Sequence, residues 1–221
     1  MRRYGEFCPL ARALDLVGER WTMLIVRELS LGPRRFTDLR GGLPGIATNL
    51  LAERLRSLEE AGVLERHEVS RPLPGVLYRL TERGEALKPI LRDLARWGSP
   101  LMLQGQGDDA FRGRWLLFLA ELLYSDMPTE GVAPLVMAVS NGEETISILV
   151  EHDSVRIELA EEPTADVRIE ADPSTLFAIL SGQLTPEQAE ASGTAVIKGN
   201  TRARKRLATL AARVGLIPAP S

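Results

Sequence analysis

Phe36-Thr37-Asp38-Leu39, followed by Leu43-Pro44-Gly45-Ile46-Ala47-Thr48-Asn49-Leu50-Leu51-Ala52-Glu53-Arg54-Leu55, reads as a short helix, a tight Pro-Gly turn and a second helix. Leu51, Leu55 and Leu58 recur at i, i+4, i+7, the core stripe of an amphipathic helix. Asn49, Glu53, Arg56 and Glu60 fall on another side. Two short helices joined by a glycine-containing turn form a helix-turn-helix, whose second helix can enter the major groove of DNA. Residues 63–69 and 76–80 then read as two short strands around Ser70-Arg71-Pro72-Leu73-Pro74-Gly75, a basic, proline-rich loop. This order predicts a winged helix with that loop as its wing.

The charge distribution agrees. A net charge of −3 over 221 residues would disfavour nucleic acid if spread evenly, but it is not. Residues 1–105 hold 17 Lys+Arg against 13 Asp+Glu, a balance of +4, and residues 106–221 hold 10 against 17, a balance of −7. Such asymmetry points to different partners for the two halves. Of the 17 basic residues in front, 16 are Arg, the side chain whose fork matches phosphate and guanine.

A single cysteine, Cys8, excludes an intramolecular disulfide framework and fits a reducing compartment. Met1-Arg2-Arg3 starts like a signal peptide, yet Glu6, Arg12 and Asp15 interrupt any apolar core. No apolar run reaches the roughly 18 residues a membrane-spanning helix requires. The expectation is a soluble cytoplasmic protein with no membrane partner.

Around the motif, residues 9–18 and 19–31 predict two helices, the second burying Trp21, Leu24, Ile25 and Leu29. Thr81 can cap a long helix through Trp97. The polar, glycine-rich stretch 104–109 reads as a linker, dividing the chain into a DNA-binding and dimerisation domain at 1–103 and a second domain at 110–221. The second domain opens with an amphipathic helix over 111–126. Alternating segments follow at 146–150, 155–159 and 167–169, then helices from Ser174 and after Thr185-Pro186, a strand over 194–198 and a last helix over 202–214. The fold class is α+β: a winged helix-turn-helix followed by a mainly antiparallel sheet faced by helices.

Asn49, Glu53 and Arg56 are candidate base-reading residues, since Asn pairs with adenine and Arg with guanine through two hydrogen bonds each. Arg54 lies beside the core stripe and serves either the fold or a phosphate. Arg66, Arg71 and Arg79 of the wing, with Arg34 and Arg35 ahead of the motif, suit backbone phosphate or the minor groove. Cys8, near Arg12, is a thiolate sensitive to oxidants or electrophiles, a thiol that pairs with its mate in a dimer, or a small residue packed at a helix start. Trp115, Leu119 and Phe177 are nominal ligand-lining residues that serve equally as core. Catalysis finds no support. His67 and His152 fall in different domains, no Cys/His/Asp cluster has metal spacing, and no phosphate-binding glycine loop occurs, so neither metal nor cofactor is expected.

Across residues 7–98 an ordered set of positions resembles the HxlR family of bacterial winged-helix transcriptional regulators. It includes Cys8-Pro9, Gly18, Trp21, Arg35-Phe36, Leu39, Pro44-Gly45-Ile46, Arg54-Leu55, Gly62, Arg66, Pro72, Tyr78, Leu80-Thr81, Gly84 and Trp97-Gly98. The family's usual Ser after Ile46 is Ala47 here, which passes capping of the recognition helix to Thr48, also a candidate DNA-binding residue. The resemblance implies a homodimer formed through the first and last helices of the module, and some relatives use a cysteine at the Cys8 position for sensing. More loosely, 130–215 is similar to the sterol-carrier-protein type. That likeness rests on Asp166–Asp172, Leu176–Gly182 and Gly193–Asn200, and implies an apolar ligand between sheet and helices. Together the resemblances imply a one-component regulator that binds double-stranded DNA at an inverted repeat and answers to a small apolar ligand. The alternative is a small-molecule- or lipid-binding protein that keeps the winged helix as a dimerisation scaffold.

Overall fold

The computed structural model describes residues 3–70, 74–159 and 164–214. Two compact units are present, Met1–Asp93 and Leu94–Ser221. The stretch 104–109 falls inside the second, where the Gln106 amide donates to Ser174 Oγ at 3.1 Å.

The first unit begins with helix α1 (Pro9–Val17), with Pro at its first position and Gly18 at its end. Helix α2 (Thr22–Ser30) starts three residues later than the apolar pattern suggests. The reason is Trp21, whose φ of 78° is left-handed and cannot propagate a helix. Arg20 sits over its ring at 5.3 Å. Ile25 and Leu29 are buried as expected from the pattern and Val26 joins them, whereas Trp21 is half-buried and Leu24 is 40% exposed. Glu28, one turn further on, is 1% exposed and paired with Arg27 Nη2 at 2.9 Å. Burial draws the Arg27 guanidinium below its ordinary pKa, and Glu28 opposes that shift.

Strand β1 (Arg34–Arg35) leads into α3 (Phe36–Gly42), and the turn into α4 (Thr48–Glu60) has Gly45 at φ +86°. Leu51, Leu55 and Leu58 are all buried. Strands β2 (Leu64–Val69) and β3 (Gly75–Leu80) form the antiparallel wing, and β1 joins its edge to give the order β1-β3-β2. Thr81 caps as expected, its Oγ1 accepting from Gly84 N at 3.2 Å. The helix it starts is nonetheless broken into α5 (Glu82–Glu85) and α6 (Leu87–Gly98). Pro89 has no N–H to give the carbonyl four residues back, which accounts for the interruption at Ala86.

In the second unit a 3-10 turn (Ser99–Gln104) precedes α7 (Trp115–Tyr124). The sheet has the order β6-β5-β4-β7-β8, from β4 (Leu135–Ser140), β5 (Thr145–Val150), β6 (Val155–Leu159), β7 (Val167–Ala171) and β8 (Ala195–Gly199). Every pairing is antiparallel except β4 with β7. Helices α8 (Pro173–Leu180), α9 (Pro186–Ala191) and α10 (Thr201–Ala211) each start on a side-chain cap, from Asp172, Thr185 and Asn200. Burial alone would raise the Asp172 carboxyl, but hydrogen bonds from Thr175 and the Ser174 amide hold it below its ordinary value.

The core of this unit joins Leu116, Leu119 and Leu123 of α7, Met137 and Val139 of β4, and Phe177 and Leu180 of α8. Tyr124, fully buried, donates its hydroxyl to the Leu180 carbonyl at 2.7 Å, and burial keeps its phenol protonated by raising its pKa. Tyr124→Phe leaves that carbonyl unpaired and is expected to cost about 1–3 kcal/mol in chemical unfolding. An unchanged midpoint would show that the bond contributes nothing net.

Candidate nucleic-acid interface

The outward side of α4 carries Thr48, Asn49 and Arg56, all exposed. Among the described residues, the Asn49 and Arg56 side chains make no hydrogen bond or ion pair, so both are free for an outside partner. Ala47 occupies the N-cap position and no side chain caps the helix. The expected transfer of capping to Thr48 is therefore corrected: Thr48 is already the first helical residue, one place too late to cap. The uncapped amides of this turn are left to solvent or to an anion.

Glu53 and Arg54 are differently engaged. Arg54 donates to Glu53 Oε1 at 2.8 Å and to Glu19 Oε2 at 2.6 Å, with 12% of its side chain exposed. It ties the recognition helix to the segment before α2. Of the two roles open to Arg54, support of the fold is the one its contacts serve. Glu19 is the partner that sequence reasoning missed; a separation of 35 residues leaves no periodic signal.

In-register neighbours on adjacent strands share a face. Tyr78 is opposite Arg34 on one side and Arg66 on the other, so Arg34, Tyr78 and Arg66 form one row across the three strands. Arg66 is exposed, and Arg34 is half-buried with its Nε lacking a hydrogen-bond partner. The row sets one aromatic residue between two basic ones on a single face of the sheet. Tyr78 was missed as a member of this row, because β1 is too short to be legible as a strand. Arg79 lies on the opposite face, where it pairs with Glu65 at 2.6 Å.

Arg35 is a structural clamp as well as a surface cation. Its Nη1 donates to the Pro74 carbonyl at 3.1 Å, and its amide donates to Asp38 at 3.2 Å. Gly75 makes this possible: it sits at φ +153°, and a Cβ there would lie 2.3 Å from Arg35 Nη1. The arginine thus ties the start of β3, at the loop end of the wing, to the start of α3. Arg71 lies outside the described residues.

Cys8 holds the N-cap position of α1, half-buried, and its carbonyl accepts from Arg12 N at 3.0 Å. The Arg12 guanidinium turns to Asp15 at 3.7 Å. In the second unit Leu119 and Phe177 are in the packed core, and Trp115 is half-exposed in an edge-to-face contact with Phe111 at 5.8 Å.

Residues 16–106 match the HxlR-like helix-turn-helix family, and residues 129–212 match the SCP-2 sterol transfer family. The uncharacterized HTH-type transcriptional regulator YvaP of Bacillus subtilis (strain 168) is 37% identical over 96 residues, covering 43% of this chain and 89% of the relative. The HTH-type transcriptional regulator YodB of the same organism is 37% identical over 94 residues, covering 42% and 84%. The solved structure of reduced YodB from B. subtilis aligns with 48% of this chain and 100% of its own, at 32% identity and a TM-score of 0.39. Among the described residues no helix is long and apolar enough to cross a membrane. With most of YvaP and of YodB spanned at this level of identity, the chain belongs to the HxlR-like helix-turn-helix family of transcriptional regulators, and behind that module it is similar to the SCP-2 sterol transfer family.

Proposed function

We propose that the chain acts as a cytoplasmic homodimer on an inverted-repeat operator, with α4 of each copy in the major groove and the wing on backbone phosphate. The second domain would adjust this binding by taking up a small apolar ligand. The observation that carries the DNA reading is that Asn49 and Arg56, on the exposed side of α4, have no side-chain partner among the described residues. Two side chains suited to bidentate base contacts, left without intramolecular partners, are a surface waiting for one. Arg34 and Arg66 supply sequence-independent attraction beside it. Arg71 is assigned to the same work from the sequence alone. The dimer reading is supported by apolar side chains left in solvent: Phe7, Leu10 and Leu14 at the start of the chain, and Ile90, Leu94 and Trp97 along α6. An effector can shift such a regulator only by favouring the DNA-competent or the incompetent arrangement of the two recognition helices.

The test is fluorescence anisotropy of the purified protein on its own upstream intergenic DNA, across a salt series, with random DNA as control. Arg56→Ala is expected to weaken specific binding by about 1–3 kcal/mol and leave random DNA unaffected. Arg66→Ala should weaken both and lower the salt slope by about 1. Arg54→Ala should act mainly on thermal stability. If Asn49→Ala and Arg56→Ala both bind as the parent does, the recognition surface is wrongly assigned. Weak binding that does not distinguish the two DNAs would favour the winged helix as a dimerisation scaffold.

A further inference from the structure

Arg202-Ala203-Arg204-Lys205-Arg206 concentrates four of the ten basic residues of 106–221 into five positions, in a half whose balance is −7. On α10 these cations divide sharply. Arg204 is consumed within the fold: it pairs with Glu190 and donates to the Gly199 and Ile197 carbonyls. Ala203, Leu207, Leu210 and Ala211 are buried and seat the helix. Arg202, Lys205 and Arg206 point elsewhere, lining a cavity of about 620 Å3 with Thr201 and Thr209. Its other wall is Gly131-Val132-Ala133.

Three properties distinguish this groove from an ordinary solvated face. No carboxylate lines it, and among the described residues none of its three cations makes an ion pair. Like charges gathered without counter-charge repel one another, and a concavity lined by one sign raises the local concentration of the opposite ion. Arg206 is held in place, its Nη1 donating to the Pro134 carbonyl at 2.9 Å, so less freedom is lost when it grips a ligand. The volume lies within the range of roughly 300–1,000 Å3 common to small-molecule sites. The Val132 and Ala133 wall adds apolar surface opposite the charges. A concave shape favours a small molecule over the long rail of a nucleic-acid backbone.

We propose that this groove binds a small amphiphilic oxyanion: a phosphate or carboxylate group gripped by Arg202, Lys205 and Arg206, with its apolar body on Val132 and Ala133. The proposal rests on the reading that the second domain holds a ligand. Binding is measured directly, without DNA, so its failure leaves the operator reading standing.

The test is isothermal titration of the full chain with octyl phosphate below its micelle concentration, with inorganic phosphate and octanol as the head and tail alone. The expected result is one octyl phosphate per chain, bound more tightly than either part. In the double variant Arg202→Gln, Lys205→Gln the affinity should fall by about tenfold or more, two charge-assisted contacts having been removed. Both residues are exposed, so the variant should melt with the parent, and Arg156→Gln on β6 should bind normally. Phosphatidylglycerol vesicles decide the source of the oxyanion. Vesicle binding lost in the double variant would support the groove with a bilayer headgroup as its ligand, and octyl phosphate binding without vesicle binding would support a free molecule. Equal affinity in parent and double variant, or no binding of octyl phosphate or vesicles, would each overturn it.

Discussion

A chain carrying Leu94→Glu and Trp97→Glu is expected to sediment as a monomer, keep its thermal transition, and bind its operator about 10²-fold or more weakly than the parent. On α6, Ile90, Leu94 and Trp97 recur at i, i+4, i+7 and are 56%, 51% and 69% exposed, while Leu91 on the other side is 6% exposed. A helix with apolar residues on both sides has one side committed to its own core and one left for a partner. Trp97 decides the magnitude. Covering the exposed part of a Trp side chain of roughly 200 Å2 contributes on the order of 3 kcal/mol, and a two-fold interface counts it twice. A buried, unpaired Glu at the same place reverses the sign. Because both positions are open to solvent in the single chain, charge there should not unfold it. The loss on DNA follows from geometry: a dimer holds its second half-site at high effective concentration, and a monomer does not. A variant that still sediments as a dimer would move the interface off α6 and leave Phe7, Leu10 and Leu14 to be tested.

The elements legible in the sequence were those with a local cause. The α4 stripe, the Thr81, Thr185 and Asp172-Pro173 helix starts and the alternating strands β5, β6 and β7 each carry their signal within a few residues. Strand β4 did not. Lying at the centre of the sheet between β5 and β7, it buries residues on both faces, and Leu135-Val136-Met137-Ala138-Val139 shows no alternation to read. Strand β1 is two residues long and exists only through its pairing with β3. Within the site, exposure of Asn49 and Arg56 followed from helical phase alone. The engagement of Arg54 with Glu19 and of Arg35 with Pro74 did not, since both span more than thirty residues. Periodicity tells which way a side chain faces. It is silent on what arrives there from a distant segment.

Gly84→Ala is the second substitution with a large expected effect, and local propensity predicts its sign wrongly. Ala exceeds Gly by roughly 1 kcal/mol inside a helix, so α5 should gain from the change. Space says otherwise. A Cβ on Gly84 would lie 2.1 Å from the Val63 carbonyl oxygen and 3.1 Å from Leu80 Cβ and Cδ2. The oxygen is backbone and is already committed, accepting from Thr81 N at 3.1 Å and Thr81 Oγ1 at 3.2 Å. Thr81 Oγ1 also donates to the Gly62 carbonyl at 2.6 Å, so one threonine clasps the end of α4 to the end of the wing. Displacing Val63 loosens that clasp. Overpacking costs about 1–3 kcal/mol and each weakened hydrogen bond about 1, so the net is a loss of roughly 2–4 kcal/mol against the 1 gained. For a domain of this size that lowers the melting temperature by about 10–20 °C in calorimetry, and operator binding should fail at the temperature where the wing base opens. Gly41→Ala is the control. It lies inside α3, and a Cβ there would meet nothing within 4 Å, so propensity acts alone and the variant should melt at or slightly above the parent. Should Gly84→Ala melt alongside Gly41→Ala, the Val63 carbonyl yields easily and the clasp is not what holds the wing to the recognition helix.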